Sequence, residues 1–157
     1  MSTKEIERKY IVDKKDLMLY LRRKKLSHKF DNIIQGYLFN CKGYSLRIRY
    51  SSRGSKLTYK SRLRGCTRTE MECNIPASVV LPLLCLCRKI IHKSRYTVRL
   101  LNEVWQFDIF NNLKRDLVLA EIEIPSESHQ FQKPSWVGEE VTYNLEYYNI
   151  NLVKEVL

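Results

Sequence analysis

Residues 5–10 read Glu5-Ile6-Glu7-Arg8-Lys9-Tyr10, and the surrounding stretch, residues 3–12, is predicted to be the first β-strand. Because successive side chains of a strand point to opposite faces, Glu5, Glu7 and Lys9 project together, roughly 6–7 Å apart along the strand. Two adjacent carboxylates repel each other unless a cation lies between them. A Mg²⁺ ion would remove that repulsion, since it takes oxygen ligands and commonly binds one or two carboxylates together with substrate phosphates.

Charged residues alternate with apolar ones in six further segments. Each segment has one apolar face and one charged face, which is the pattern of a half-buried strand. The charged positions are Arg47 and Arg49; Lys60 and Arg62; Arg68, Glu70 and Glu72; Lys93, Arg95 and Arg99; Asp108; and Glu121 and Glu123.

Two architectures are compatible with these charged faces. In the first, they are the solvated outside of a β-sandwich. In the second, they line the interior of a barrel whose apolar outer faces lie under helices. Like charges recur at alternate positions although adjacent like charges destabilise a strand surface, so we favour the barrel. Burying such charges is costly unless they are paired or hold an ion. The interior is therefore expected to bind a polyanion through its cations and a divalent metal through its carboxylates.

Length and charge narrow the class of protein. A chain of 157 residues is predicted to form one domain, residues 1–157. The formal net charge of +11 favours an anionic partner, which could be a phosphate ester, a nucleic acid or an acidic membrane surface. No apolar run approaches the roughly 18–20 residues that span a membrane, so no membrane partner is expected.

Motifs that would indicate other chemistry are absent from the sequence. Neither G-x-x-x-x-G-K-[ST] nor G-x-G-x-x-G occurs, so phosphate must be bound by side chains. The N-terminus does not resemble a secretory signal, and the five cysteines have no zinc-site spacing. We therefore expect reduced thiols and a cytoplasmic location.

Turn residues and periodicity divide the chain into eight strands and three helices. Short strands separated by turns predict an antiparallel barrel. The basic cluster at residues 22–25 is typical of the solvated C-terminal end of a helix, and contact with nucleic acid is the alternative. A loop is expected around Trp136. The predicted strands are 3–12, 33–39, 46–50, 57–63, 67–75, 90–101, 103–110 and 117–124, and the predicted helices are 13–24, 76–87 and 145–156.

Seven blocks, in this order, resemble the CYTH superfamily, the triphosphate tunnel metalloenzymes. That resemblance implies an α+β fold, an eight-stranded antiparallel β-barrel that forms a tunnel with a charged interior and flanking helices. The blocks are Glu5-x-Glu7-x-Lys9, Ser45-Leu46-Arg47-Ile48-Arg49, Leu57-Thr58-Tyr59-Lys60, Arg68-Thr69-Glu70-Met71-Glu72, Lys93-Ser94-Arg95-Tyr96, Trp105-Gln106-Phe107-Asp108-Ile109-Phe110 and Leu119-Ala120-Glu121-Ile122-Glu123.

The resemblance also implies a role for each charged position. Lys93 matches a lysine that in some members helps to activate the attacking water, and the surrounding cations would lower its pKa. Glu70 and Glu72 match positions that orient neighbouring cations. The matched metal ligands, for Mg²⁺ or Mn²⁺, are Glu5, Glu7, Asp108, Glu121 and Glu123. The cations that match triphosphate-binding positions are Lys9, Arg47, Arg49, Lys60, Arg68 and Arg95.

The function that the resemblance implies is metal-dependent hydrolysis of triphosphates, and we favour inorganic triphosphate as the substrate. The alternatives are adenylate cyclase, RNA 5′-triphosphatase or thiamine triphosphatase activity, or a non-catalytic module that binds polyphosphate or RNA ends. A nucleic-acid partner is not favoured, and the oligomeric state stays open, with a homodimer among the options. The chain departs from the family pattern at residues 111–116 and after Val141-Thr142, where Tyr143-Asn144 stands. These changes affect loops rather than the charged strands.

Overall fold

The computed structural model describes residues 2–27 and 29–157, which contain nine strands and three α-helices. Short 3₁₀ turns, Leu145–Tyr147 and Val153–Glu155, flank the last helix. The strands are β1 (Ser2–Val12), β2 (Asp31–Cys41), β3 (Tyr44–Ser51), β4 (Gly54–Lys60), β5 (Thr67–Asn74), β6 (Ile90–Leu100), β7 (Glu103–Phe110), β8 (Val118–Glu123) and β9 (Val137–Glu140). The helices are α1 (Lys14–Arg23), α2 (Ala77–Cys85) and α3 (Asn149–Leu152).

Eight of the strands close into an antiparallel barrel in the order β5-β4-β3-β2-β6-β7-β8-β1. The first half of β1 returns to β5, with Glu5 opposite Arg68, and closes the barrel. The second half of β1 pairs with β8, with Glu7 opposite Glu123 and Lys9 opposite Glu121. The predicted fold class, an eight-stranded antiparallel barrel with flanking helices, is confirmed.

Apolar side chains on the outer face of the barrel lie under helices, as the alternation predicted. Helix α1 begins after Asp13, whose carboxylate caps it by accepting from the Lys15 N–H at 2.7 Å. Its fully buried Leu17 and Leu21 belong to the same core as Trp105 and Phe107 of β7. Helix α2 covers the opposite side, where β2, β3 and β4 lie. With their apolar faces covered in this way, the strands turn their charged faces inward.

An apolar cluster lies at one end of the barrel. Ile91, Phe110 and Leu119 pack there against Leu152 and Val156 of the C-terminal segment. None of the helices in the described part of the chain has the length and hydropathy needed to cross a membrane.

The prediction of one continuous helix over residues 145–156 is wrong. Tyr148 has an extended backbone, with φ −79° and ψ 132°, and separates the first 3₁₀ turn from α3. The side chain of Asn144 accepts from the Glu146 N–H at 3.0 Å, and the Tyr148 hydroxyl donates to the Thr142 carbonyl at 2.7 Å. The apolar spacing identified the buried positions correctly in Leu152 and Val156, but these local hydrogen bonds break the helix.

Two further differences from the prediction concern β9 and the end of β4. Residues 137–140, expected in a loop, form β9 beside the second half of β1. At Gly138 an added Cβ would lie 2.9 Å from the Ile11 carbonyl oxygen, so glycine permits this close approach. Strand β4 ends at Lys60 rather than at residue 63, because the Ser61 hydroxyl accepts the Thr69 N–H at 2.9 Å and the chain turns there.

Candidate active site

The barrel contains a cavity of about 920 Å³, and its lining includes residues near both ends of the barrel. Arg53 and Gly54, in the β3–β4 turn, line one end, which we call the hairpin mouth. Gly43, Arg62 and Tyr148 line the other, which we call the C-terminal mouth. The volume lies within the range of about 300–1,000 Å³ that is common for small-molecule sites.

Twelve of the fourteen side chains predicted for the site line this cavity. They come from β1, β3, β4, β5, β6 and β8, and the alternation of each strand directs them inward. Lys93 and Asp108 do not line it, because they lie deeper in the wall behind Arg95. The lining residues are Glu5, Glu7, Lys9, Arg47, Arg49, Lys60, Arg68, Glu70, Glu72, Arg95, Glu121 and Glu123.

Glu5 is the acidic centre of one group of ion pairs. Its carboxylate accepts from Lys60 Nζ at 2.9 and 3.0 Å and from Arg68 Nε at 2.5 Å, while Lys60 also pairs with Glu70 at 2.5 Å. Burial opposes ionisation of Glu5, but the two cations outweigh it and hold its pKa well below the ordinary value. Burial together with the charges of Arg47 and Arg68 lowers the pKa of Lys60. The charged form of Lys60 is thus disfavoured by its surroundings, and a further anion nearby would stabilise it.

Glu121 and Lys9 belong to a second group of ion pairs. Lys9 Nζ donates to both Glu7 and Glu121, and Arg95 Nη2 donates to Glu121 at 2.8 Å. Burial opposes both charges, yet their mutual attraction raises the pKa of Lys9 and lowers that of Glu121. Both groups stay ionised at neutral pH and hold β1 against β8.

Asp108 connects Arg95 to Lys93. Its carboxylate accepts from Arg95 Nε and Nη2 and from Lys93 Nζ, each at 2.6 Å. Asp108 is 0% exposed and Lys93 is 1% exposed. Burial lowers the pKa of Lys93 to about 8, although Asp108 opposes that shift. Lys93 reaches the cavity only through Arg95 and Asp108 in this arrangement, and its role as a base stays a prediction.

Arg47 differs from the other cations of the cavity wall. It is 8% exposed, and its one hydrogen bond among the described residues is a long contact of 3.4 Å from Nη2 to the Thr58 hydroxyl. Its Nε has no hydrogen-bond partner in that part of the chain. By contrast, Arg49 pairs with Glu72 at 3.2 Å. A buried guanidinium without a carboxylate is costly unless an anion binds to it, so Arg47 marks an anion site.

The carboxylates divide into two classes with respect to a metal ion. Asp108 and Glu121 are already held by cations, whereas Glu123 has no ion pair or hydrogen bond among the described residues. Burial and the charges of Glu5 and Glu7 raise the pKa of Glu123. This excess of negative charge around oxygen donors fits a hard divalent cation. As they stand, no three His, Cys, Asp or Glu side chains in residues 2–27 and 29–157 converge on one metal position.

Sequence reasoning missed several side chains that line the cavity. Gln106 lies on the inward face two positions before Asp108, and its Oε1 accepts from Arg95 Nη1. Tyr37 lies on the inward face of β2, and burial raises its pKa to about 12. The i, i+2 relation to Asp108 could have identified Gln106. Tyr37 had no such signal, because β2 shows no charged alternation. Arg53 and Lys56 add positive charge at the hairpin mouth.

Comparisons with known proteins agree with this geometry. The model of the CYTH domain family matches residues 3–156. An inorganic triphosphatase of Acetivibrio thermocellus is 39% identical over 154 residues, which cover 96% of this chain and 94% of the relative. The crystal structure of the inorganic triphosphatase NE1496 is 28% identical, with a TM-score of 0.62 over 95% of this chain and 97% of that one.

A more distant structure supports the fold alone. A putative adenylate cyclase from Bacillus halodurans superimposes with a TM-score of 0.65, at 18% identity, over 82% of this chain and 84% of its own. Because the family model spans almost the whole sequence and a 39% identical relative matches over the same length, the chain belongs to the CYTH domain family.

Proposed function

We propose that the protein is a metal-dependent hydrolase of inorganic triphosphate. The observation that carries the proposal is Arg47, a buried guanidinium in the cavity wall with no carboxylate partner. The name of the 39% identical relative, an inorganic triphosphatase, supports the choice of substrate. The site residues other than Lys93, Asp108 and Glu121 retain the roles assigned to them by family resemblance as part of this proposal.

The cations would bind the non-bridging oxygens of the triphosphate. Arg47 Nε has no hydrogen-bond partner among the described residues, and the charges of Arg47 and Arg68 lower the pKa of Lys60. Phosphoryl transfer depends mainly on positioning and on neutralising charge over the equatorial oxygens. Fixed guanidinium groups suit that task, since they bind phosphate with planar pairs of donors and remain charged.

The residues that fit a metal are Glu5, Glu7 and Glu123, with Mg²⁺ or Mn²⁺ as the ion. They are oxygen donors on neighbouring strands, and Glu123 carries a pKa raised by burial and by the other two. A bound ion would supply charge neutralisation at the phosphates and a more acidic water. Glu5 also pairs with two cations, but it is only half-buried and lines the cavity. Asp108 and Glu121 fit less well, because each is held by two cations and is at most 5% exposed. We assign them to the positioning of Lys9 and Arg95 instead.

Lys93 has two candidate roles. As a base it would need to reach a water in the cavity, whereas the present contacts place it against Asp108. Its pKa of about 8 is compatible with a base near neutral pH. The geometry favours a positioning role, in which Lys93 holds Asp108 and Asp108 holds Arg95.

Two remaining features complete the proposal. The barrel strands and the C-terminal segment share packed clusters, which supports a single functional domain over residues 1–157. All five cysteines are free, which supports a cytoplasmic location.

The decisive experiment measures phosphate release from tripolyphosphate, ATP and thiamine triphosphate, each with Mg²⁺ or Mn²⁺. We expect tripolyphosphate to be the preferred substrate and Arg47→Met to raise its KM by about 100-fold, the cost of roughly 3 kcal/mol for a charge-assisted contact. Glu123→Gln should raise the metal concentration needed for half-maximal rate. Glu139→Gln changes an exposed carboxylate of β9 outside the cavity and is the matched control.

Titration calorimetry of tripolyphosphate with and without metal separates binding from catalysis. Tight binding without phosphate release from any substrate or metal would show a non-catalytic binding module instead. A preference for ATP or thiamine triphosphate would show that inorganic triphosphate is not the main substrate, although the protein would still be a triphosphate hydrolase. An unchanged KM in Arg47→Met would show that Arg47 does not bind the substrate, and the proposal would lose its main support.

A further inference from the structure

Most of the net positive charge of the protein lies outside its cavity. The cavity lining, together with Lys93 behind it, includes ten cations, Lys9, Arg47, Arg49, Arg53, Lys56, Lys60, Arg62, Arg68, Lys93 and Arg95. Together with Asp108, it also includes eight carboxylates, Glu5, Glu7, Asp31, Glu70, Glu72, Asp108, Glu121 and Glu123. Of 28 Lys and Arg and 17 Asp and Glu, these sets leave 18 cations and 9 carboxylates elsewhere, so +9 of the net charge of +11 resides there. Binding a triphosphate inside the barrel does not account for that charge.

Seven of the cations outside the cavity lie on α1 and the segment after it, a surface that we call the basic face. All of its cations are exposed, and among the described residues only Lys14 has an ion pair, a 3.6 Å contact with Asp116. Asp16 is the one carboxylate within residues 14–29. The basic face comprises Lys14, Lys15, Arg22, Arg23, Lys24, Lys25 and Lys29.

Two exposed apolar side chains interrupt the basic face. Leu19 is 50% exposed and lies on the same helical side as Lys15, Arg22 and Arg23, at spacings of four and three residues. Phe30 is 41% exposed, and its ring centroid lies 5.5 Å from that of Tyr96, which holds it at the surface. Clusters of four to eight Lys and Arg on an amphipathic helix are characteristic of binding to anionic lipid, and apolar residues among them insert at the headgroup level.

From these observations we infer that the basic face docks the protein on an anionic lipid bilayer. The helix lies along the barrel wall with Leu17 and Leu21 buried beneath it, so its outer side is available over its whole length. Leu19 favours a bilayer over a nucleic acid, because an aliphatic side chain inserts between lipids but offers no planar surface for stacking on bases. The docking adds to the proposed function and does not depend on it.

The test is co-sedimentation of the full chain with vesicles of phosphatidylcholine alone or with 30% phosphatidylserine, at 0.15 M salt. Binding is expected only to the anionic vesicles. Each cation near such a surface contributes roughly five-fold to partitioning, so R22E/R23E/K24E/K25E should lower binding by about 100-fold or more. Leu19→Ser should weaken binding by several-fold at unchanged net charge.

The matched control reverses four exposed cations that lie elsewhere, in the variant K4E/R88E/K114E/K154E. It has the same net charge as the first variant and is expected to retain most of the binding. Thermal unfolding by circular dichroism verifies that both variants are folded. Equal losses in the two variants would overturn the inference, because net charge alone would then account for binding.

Two further outcomes would also overturn it. Binding to neutral vesicles would implicate the uncharged helix α2, where Val79 and Leu81 are exposed, together with the exposed Leu86 that follows it. A short RNA or DNA duplex is then added with fewer phosphates than there are charged lipids. If that duplex displaces the protein from the anionic vesicles, nucleic acid is the partner of the basic face. Absence of binding to anionic vesicles at 0.05 M salt, where electrostatic attraction is stronger, would exclude the bilayer.

Discussion

Replacing Asp108 by Asn tests whether this carboxylate acts mainly as the ion-pair partner of Lys93 and Arg95 or mainly as a metal ligand. In the structure it is fully buried and accepts three hydrogen bonds of 2.6 Å from Lys93 and Arg95. Asn keeps the shape but loses the charge, and its NH₂ group would face cationic donors. Breaking a buried ion pair by removing one partner costs about 3–5 kcal/mol. At about 2–4 °C per kcal/mol for a chain of this size, the midpoint of thermal unfolding should fall by roughly 6–20 °C.

The effect should depend on pH in a defined direction. Lys93 and Arg95 overcome the opposing effect of burial and lower the pKa of Asp108 in the folded protein. A depressed carboxyl pKa stabilises the fold above the unfolded pKa of about 3.9, and that stabilisation is lost as pH falls through the folded pKa. The stability gap between wild type and Asp108→Asn should therefore be constant from about pH 5 to pH 7 and should shrink below about pH 4.

The assay is urea unfolding of both proteins in EDTA, with Glu139→Gln as a control expected to lie within about 0.5 kcal/mol of wild type. If Asp108 were chiefly a metal ligand crowded by other carboxylates, removing its charge would relieve repulsion. The metal-free variant would then be as stable as wild type or more so. A loss below about 1 kcal/mol would refute the ion-pair reasoning.

Two other substitutions test neighbouring contacts. Burial lowers the pKa of Lys93 to about 8, so the unfolded chain binds more protons between about pH 8 and 10.4 and Lys93 makes stability rise with pH there. Lys93→Met should remove that rise, which urea midpoints at pH 8 and 10 would reveal; equal slopes in both proteins would contradict the shift. Arg95 Nη1 donates to Gln106 Oε1, so the amide NH₂ of Gln106 faces the cavity. Gln106→Glu should raise the KM for tripolyphosphate by about 10-fold and Gln106→Leu by less; equal effects would show that only the lost donor matters.

The alternation of charged and apolar residues was sufficient to predict the barrel. Because the side-chain period of a strand is two, Glu5, Glu7 and Lys9 had to share a face, and the repeated like charges favoured an interior face. Of the fourteen site residues predicted in this way, twelve line the cavity in the structure. Alternation identifies a face, however, and does not give depth along the barrel. Lys93 and Asp108 share the inward face but lie behind Arg95, which only the tertiary structure shows.

The C-terminal part of the chain was less predictable for a different reason. Its apolar spacing fits a helix, but hydrogen bonds of the Asn144 side chain, which accepts, and of the Tyr148 hydroxyl, which donates, compete with the helical hydrogen bonds. Strand β9 has only four residues and depends on β1 for its pairing, so it has little local signal. Which carboxylate pairs with which cation was likewise outside the reach of sequence, because Glu5 meets Lys60 across 55 positions of chain.

The pairing of Glu5 has a consequence for how the site would be loaded. In the structure Glu5 pairs with Lys60 and Arg68, two of the cations proposed to bind triphosphate. A divalent ion held by Glu5 would compete with those cations for the carboxylate and free them for the phosphate oxygens. Metal and triphosphate would thus bind to opposite partners of the same ion pairs, and each should strengthen the binding of the other. Arg47, which has no carboxylate to release, would contribute equally in both states. Calorimetry that finds the same triphosphate affinity with and without metal would show that these ion pairs persist when the substrate binds.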